Sequence, residues 1–258
     1  MSKREIAGAA IGFALMLLPS VGAQAVEVRI IAGAAFAPAL AELGPQFERD
    51  TGHKLVVKYG IAGTINQILD AEAFDLAITS PASLDAATKR GKIAAAAPTT
   101  IARVGMAVGV RSGTAKPDIS SVNAFKQALL NSKSVTFPPK GRVGIHLGKV
   151  FSDLGIADQM KDKIRPQQTV ERVPLAVAAG EAELGFAPAT VLLSASGVQV
   201  VGPFPAEIQN YIVYATGIGS AATQRDAAIL LINYMTSPSA TASLKAKGFE
   251  PITPQSRR

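Results

Sequence analysis

Val28-Arg29-Ile30-Ile31 runs directly into Ala32-Gly33-Ala34-Ala35, and this short stretch decides the class of fold. The β-rich apolar run reads as a strand and the four small residues as a tight turn. Beyond the turn, Phe36, Leu40, Leu43 and Phe47 recur at the three- and four-residue spacing that lines one face of a helix. Gly52 then ends that helix. Strand, tight turn and amphipathic helix in this order form the unit of an α/β fold, with helices packed on a mostly parallel sheet.

The unit repeats along the chain. Lys54 to Tyr59 is a strand that enters Gly60-Ile61-Ala62-Gly63, after which Thr64 is placed to cap a helix carrying Ile65, Ile68 and Leu69. Phe74 to Thr79 is a third strand ending at Ser80-Pro81, with Ser83 as the cap of a short helix that Gly91 closes. The apolar run Val104 to Val110 precedes a loop from Arg111 to Asp118. Val122 to Leu130 then reads as a helix, Ser134 to Phe137 as a strand, Pro138 to Gly144 as a loop and Ile145 to Leu154 as a helix closed by Gly155. Val173 to Ala179 is helical and Ala182 to Phe186 extended. Gln199 to Val201 stops at the breaker Gly202-Pro203-Phe204-Pro205, Ile212 to Ala215 is a strand, and Arg225 to Met235 is the last clearly amphipathic helix. These elements fit two similar lobes, with chain crossings near Gly105 and between Asn210 and Ala215. Lobe I would comprise residues 26–105 and 212–258, and lobe II residues 106–211.

The composition removes several chemistries. The chain has no Cys and only two His, His53 and His146, so disulfides, thiolate metal sites and cysteine nucleophiles are excluded. With 48% hydrophobic and 17% charged residues, it is a globular chain with a large core. At the N-terminus, Ser2-Lys3-Arg4, the apolar run Ile6 to Leu18 and the ending Ala23-Gln24-Ala25 have the three parts of a secretory signal peptide, residues 1–25. The expectation is a periplasmic chain starting at Val26, with no membrane span once the signal is removed. The net charge of +7 is modest and the basic residues are dispersed: Lys89, Arg90 and Lys92, Lys161 with Lys163, and Lys245 with Lys247 read as solvated faces. No basic stripe interleaved with aromatics suggests nucleic acid, and a small anionic ligand fits the charge.

In open α/β sheets, ligands sit beyond the carboxyl ends of the strands, where helix N-termini offer free N–H groups. Four such points can be read: Ala34-Ala35, Ala62-Gly63-Thr64, Arg142-Val143-Gly144 and Glu171-Arg172-Val173. Their small residues let a ligand approach the backbone, and ordinary tight turns would look the same. Neither a GxGxxG nor a GxxxxGK[ST] motif occurs, so no nucleotide fingerprint is present. No cofactor and no metal are called for.

Several blocks carry a resemblance: Arg29 to Phe36 with Phe47 to Gly52, Phe74 to Ser80, Leu154 to Asp158, Gly180 to Phe186 and Val201 to Pro205. In order and spacing the chain resembles the periplasmic molybdate-binding proteins, and more closely a divergent branch of them. The resemblance implies the type 2 two-lobed periplasmic-binding fold, a ligand in the cleft, and a monomeric receptor serving the permease of an ABC importer. The family's two oxyanion-binding serines correspond to Ala35 and Ala62, and its tyrosine to Pro188, so three side-chain donors are missing. Backbone amides at Val143 and Val173 match family donors. Thr64, Ser80, Lys140, Arg142 and Arg172 are the remaining polar groups expected near the cleft, and Arg suits a bidentate grip on a carboxylate. An organic carboxylate is therefore expected in place of molybdate.

His146 is placed either to donate to a ligand or to pack on its helix, while His53 reads as surface. Glu181 with Glu183, and Asp70 with Glu72, read as solvated pairs. The alternative function is enzymatic, since some proteins resembling this branch are periplasmic isomerases of unsaturated tricarboxylates such as aconitate. Such a reaction needs a general base, and none stands out, so the catalytic residues stay unassigned.

Overall fold

The computed structural model describes residues 25–61, 64–95 and 97–252. The signal segment, apart from Ala25, and the candidates Ala62 and Gly63 lie outside the described residues. Val28 to Ile31 falls in strand β1 (Glu27–Gly33), which runs two residues further than the pattern suggested. A single 3-10 turn, Ala34–Phe36, then leads into helix α1 (Ala37–Thr51). Strand β2 (Lys54–Gly60), helix α2 (Ile65–Ala71), strand β3 (Leu76–Thr79) and helix α3 (Pro81–Lys89) follow. The cap of α3 is Ser80, not Ser83: the Ser80 hydroxyl accepts the Ser83 N–H at 3.2 Å. Thr64 occupies the capping position of α2 without a side-chain cap; its hydroxyl turns back to the Ile61 carbonyl.

Strand β4 (Thr99–Arg111) organises the molecule. Its first half, Thr99 to Gly105, pairs antiparallel with strand β9 (Tyr211–Ile218); its second half, from Met106, pairs with β7 (Leu184–Pro188) and β8 (Val198–Pro203). The strand order is β2-β1-β3-β9-β4-β7-β5-β6, with β8 and the short β10 (Glu250–Pro251) also paired to β4. Here β5 is Val135–Phe137 and β6 is Ile164–Pro166. The mostly parallel sheet expected from sequence is in fact mixed: β9 is antiparallel to both β3 and β4, and β4 to β7 and β8. A strand that returns from the far end of the chain takes whichever direction its connection permits, and local patterning does not record it.

The remaining helices are α4 (Val122–Asn131), α5 (Arg142–Asp153), α6 (Ala157–Lys161), α7 (Arg172–Ala179), α8 (Ala189–Leu193), α9 (Arg225–Met235) and α10 (Pro238–Ala246). Helix α5 shows why the fold is legible: Val143, Leu147, Val150 and Phe151 are buried at helical spacing on one face. Gly144 lets this helix start against the preceding loop, because a Cβ there would lie 2.4 Å from the carbonyl oxygens of Pro138 and Pro139. Strand β8 runs two residues into the breaker Gly202-Pro203-Phe204-Pro205 and ends there at Pro203.

Two principal cores form, one on each side of the β4 crossing. The first gathers Val28, Ile30, Phe36, Phe47, Leu76, Ile101, Tyr214, Leu231 and Phe249; the second gathers Met106, Phe125, Phe137, Leu147, Phe151, Phe186 and Phe204. His53, expected on the surface, is buried and its Nδ1 accepts the Val26 N–H. Lys163 is not a solvated cation either, because its ammonium donates to the carbonyls of Leu129, Leu130 and Ser132 at the end of α4.

Candidate functional site

The carboxyl ends of β1 and β3 bring Gly33, Ala34, Ala35, Thr79 and Ser80 to one edge of the first sheet. Ala35 is exposed and Ala34 half-buried; Ser80 is half-buried but its hydroxyl is engaged with Ser83. Thr64 is exposed. From the second sheet, the loop after β5 carries Lys140, and the next residues open a helix. Arg142, Val143 and Gly144 are the first turn of α5 rather than the loop before it, and Arg172 likewise opens α7.

The two helix N-termini differ in what they offer. In α5 the N–H groups of Arg142, Val143 and Gly144 have no hydrogen-bond acceptor among the described residues, and the N-cap Gly141 supplies no side chain. Three free amides at the positive end of a twelve-residue helix make a seat for an anion. In α7 the corresponding amides are spent: Arg172 N–H donates to Thr169 O at 3.3 Å, and Val173 N–H to Val170 O at 3.2 Å. The expectation that the Val173 amide is a free donor therefore fails for this structure, while that of Val143 stands open.

Lys140, Arg142 and Arg172 are exposed and make no ion pair with a described carboxylate. His146 is already engaged: one ring nitrogen lies 2.8 Å from the Ile208 carbonyl, and the ring stacks on Phe204. It ties α5 to the connection between β8 and β9. The carboxylates read as solvated are exposed, with Asp70 paired to Arg90, Glu72 to Lys58, and Glu183 accepting the Lys133 N–H. Pro188 closes β7 in a fully buried position and donates nothing.

Sequence reasoning missed Tyr214 and Thr79. Tyr214 is buried in β9, wedged between Phe36 and Phe249 with ring centroids 5.1 and 6.0 Å away. Burial pushes its phenol up to about 12, and the Arg142 guanidinium pulls the other way. The only sequence signal was a polar-tipped aromatic within an apolar strand.

Two recesses lie away from these groups. One of about 950 Å³ is walled by Arg111, Asn123, Gln127 and Asn131, and one of about 560 Å³ lies at the crossing beside Gln209, Tyr211 and Glu250; neither is lined by any of the sequence-derived candidates. Among the described residues, no three His, Asp or Glu side chains converge as a metal site, and no helix is long and apolar enough to cross a membrane.

A family model described as bacterial extracellular solute-binding protein matches residues 28–250. The chain belongs to this family. The solute-binding protein is 27% identical over 247 residues to an aconitate isomerase from a Pseudomonas species, covering 92% of this chain and 93% of the relative. It is 29% identical over 246 residues to the molybdate-binding protein ModA of Azotobacter vinelandii, covering 88% and 91%. Among solved structures, a substrate-binding domain ascribed to a molybdenum ABC transporter of Clostridium difficile superimposes with a TM-score of 0.78 at 20% identity, covering 88% of this chain and 100% of that one. The fold of this solute-binding protein is thus the two-lobed one of the periplasmic binding proteins, as the resemblance to the molybdate-binding proteins implied.

Proposed function

We propose that this solute-binding protein is a divergent branch of the molybdate-binding type that takes a small organic carboxylate. The ligand sits in the cleft between lobe I (residues 26–105 and 212–258) and lobe II (residues 106–211). In this reading the chain is a monomer of the periplasm, freed of its signal segment, that hands the ligand to the permease of an ABC importer. The observation that carries the reading is the kind of donor at the cleft. Hydroxyls are absent at Ala35 and Pro188 and, by sequence, at Ala62, whereas α5 presents free N–H groups and the guanidinium of Arg142. Each missing hydroxyl removes a charge-assisted hydrogen bond of about 1.5–3 kcal/mol from a tetrahedral oxyanion. A planar carboxylate instead matches the two-pronged guanidinium. Calorimetry with molybdate, sulfate, succinate, citrate and trans-aconitate tests this. The expected order has a carboxylate binding at least a hundredfold more tightly than molybdate, and the reverse order would sink the proposal.

One observation favours a second reading, isomerisation of an unsaturated tricarboxylate: the relative called aconitate isomerase aligns over nearly its whole length. The reaction moves a proton between two carbons and needs a base within reach. The carboxylate that accepts most hydrogen bonds, Asp75, is committed to backbone N–H groups in the interior of the first lobe. Following cis-aconitate by proton NMR in the presence of the protein decides the matter: trans-aconitate appearing at a catalytic rate makes it an enzyme, and an unchanged spectrum with measurable binding makes it a receptor.

A further inference from the structure

His53 is a buried imidazole whose partner lies at the point where the signal segment should end. The residue is 7% exposed. Gly52, at φ 75°, turns the chain out of α1, and the Thr51 hydroxyl then accepts the His53 N–H at 3.3 Å while donating to the Phe47 carbonyl at 2.7 Å. The ring lies beside Phe47, with centroids 6.1 Å apart. Among the described residues its one hydrogen bond comes from the Val26 N–H, 3.3 Å from Nδ1. Val26 is held on its other side as well, because its carbonyl accepts the Lys54 N–H at 2.9 Å and its side chain packs on the first core. Ala25, one residue earlier, is exposed.

We propose that His53 is the docking group for the N-terminus made by processing. The assignment rests on the reading that residues 1–25 are removed, and it goes beyond that reading by naming what receives the new end. Hydrolysis of the Ala25–Val26 bond puts the hydroxyl of water on the Ala25 carbonyl carbon and a hydrogen on the Val26 nitrogen, which then takes a further proton from solvent near neutral pH. The amide donor becomes an ammonium without leaving its place. Nδ1 already accepts at this position, so it carries the lone pair that an ammonium needs. A hydrogen bond from a charged donor is about twice as strong as one from a neutral amide. No carboxylate at the end of α1 competes for the charge: Glu48 accepts the Leu55 N–H and the Lys54 ammonium, and Asp50 accepts the Tyr234 hydroxyl. The socket is specific for one terminus. A cut one residue earlier leaves a neutral amide against His53 and the charge on exposed Ala25, and a cut one residue later removes Val26 and leaves Nδ1 without its donor.

The test has two parts. The full chain is secreted by a Gram-negative host and the mass of its periplasmic form is measured; a mature chain starting at Val26 is expected. Separately, chains released from a fusion so that they start at Val26 or at Ala25 are treated at neutral pH with a limiting amine-acylating ester, and labelling of the α-amine is followed by peptide mass spectrometry. The reagent attacks only an amine that has left His53, so the Val26 amine should react about 10- to 150-fold more slowly than the Ala25 amine, the factor set by one hydrogen bond to a charged group. His53→Phe keeps an aromatic ring but offers no acceptor, and it should abolish the difference. His53→Asn, whose Oδ1 can stand where Nδ1 stood, should keep most of it. Should His53→Phe fail to fold, the two parent chains and His53→Asn decide. Equal labelling of the two termini in the parent, or a difference that survives in folded His53→Phe, overturns the docking role and leaves removal of the signal standing. A secreted chain that starts at another residue near the cut overturns the docking role too, and one that still starts at Met1 overturns both.

Discussion

Asp75 is the most heavily engaged side chain in the first core. Its carboxylate accepts the backbone N–H groups of Arg29, Thr223 and Gln224 at 2.9, 2.9 and 3.0 Å, and the Arg29 side chain lies 3.5 Å away. Burial alone would raise its pKa, but these hydrogen bonds outweigh burial and hold it below the usual carboxylate range. A depressed folded-state value means that the unfolded chain takes up the proton first. The stabilisation is therefore complete above the ordinary value of about 3.9 and drains away as pH falls through the folded-state value. Asp75→Asn should lower stability near neutral pH by roughly 2–4 kcal/mol. Urea unfolding should also show a shallower loss between about pH 5 and pH 3 in the variant than in the parent, and parallel curves would contradict the account. The sequence placed Asp75 at the edge of a strand but gave no hint of its partners, because Thr223 and Gln224 come to it through the tertiary fold. The same limit applied to the histidines: position in a turn said nothing of the Val26 N–H that reaches His53 or the Ile208 carbonyl that reaches His146.

The two halves of β4 meet at Gly105 and Met106, where the partner changes from β9 to β7. Gln209 stitches this junction, with Oε1 accepting the Met106 N–H at 2.8 Å and Nε2 donating to the Met106 carbonyl at 3.0 Å. Gly105 leaves room for the stitch, since a Cβ there would lie 3.0 Å from Nε2 of Gln209 and 3.3 Å from the Tyr211 ring. On β4 and β9, Arg103 pairs with Glu250 at 2.8 Å and lies over the Tyr211 ring. Gln209→Ala and Gly105→Ala should each lower stability by about 1–3 kcal/mol. The double variant should cost less than the two single losses together, because Gly105→Ala has already displaced the amide; strict additivity in thermal melts would refute the coupling. Elements with strong local pattern, such as β1, α1 and α9, were legible from spacing alone. Helix α10 was not, having only Ala240 and Leu244 on its buried face, and α8 and β10 are too short to carry a period.

Across the whole molecule, a ligand held by both the Ala34-Ala35 turn and the first turn of α5 would touch both cores at once. Binding should then raise one melting transition for the entire chain rather than for half of it, which scanning calorimetry with a saturating carboxylate resolves. A single lobe shifting while the other stays fixed would place the ligand on one side only. The helix starts beside Ala34, Arg142 and Arg172 were readable from the sequence, but the place of Tyr214 beside Phe36 and Phe249 was not, because only the return of β9 brings it there.

That return also has a consequence in time. Strand β9 lies between β3 and β4, and Thr79 pairs with Ala215, so the middle of the first sheet is supplied by some of the last residues to be synthesised. Until Tyr211 to Ile218 has been made, β3 and the first half of β4 have no common partner and the first core lacks Tyr214, Leu231 and Phe249. A chain stopped at Asn210 should show no cooperative unfolding transition for this half, and one stopped at Ile252 should regain it. Long-range pairing of this kind slows folding. Through most of synthesis the first half of the chain therefore waits without its middle strand, while the second core, whose buried members end at Phe204, can already close.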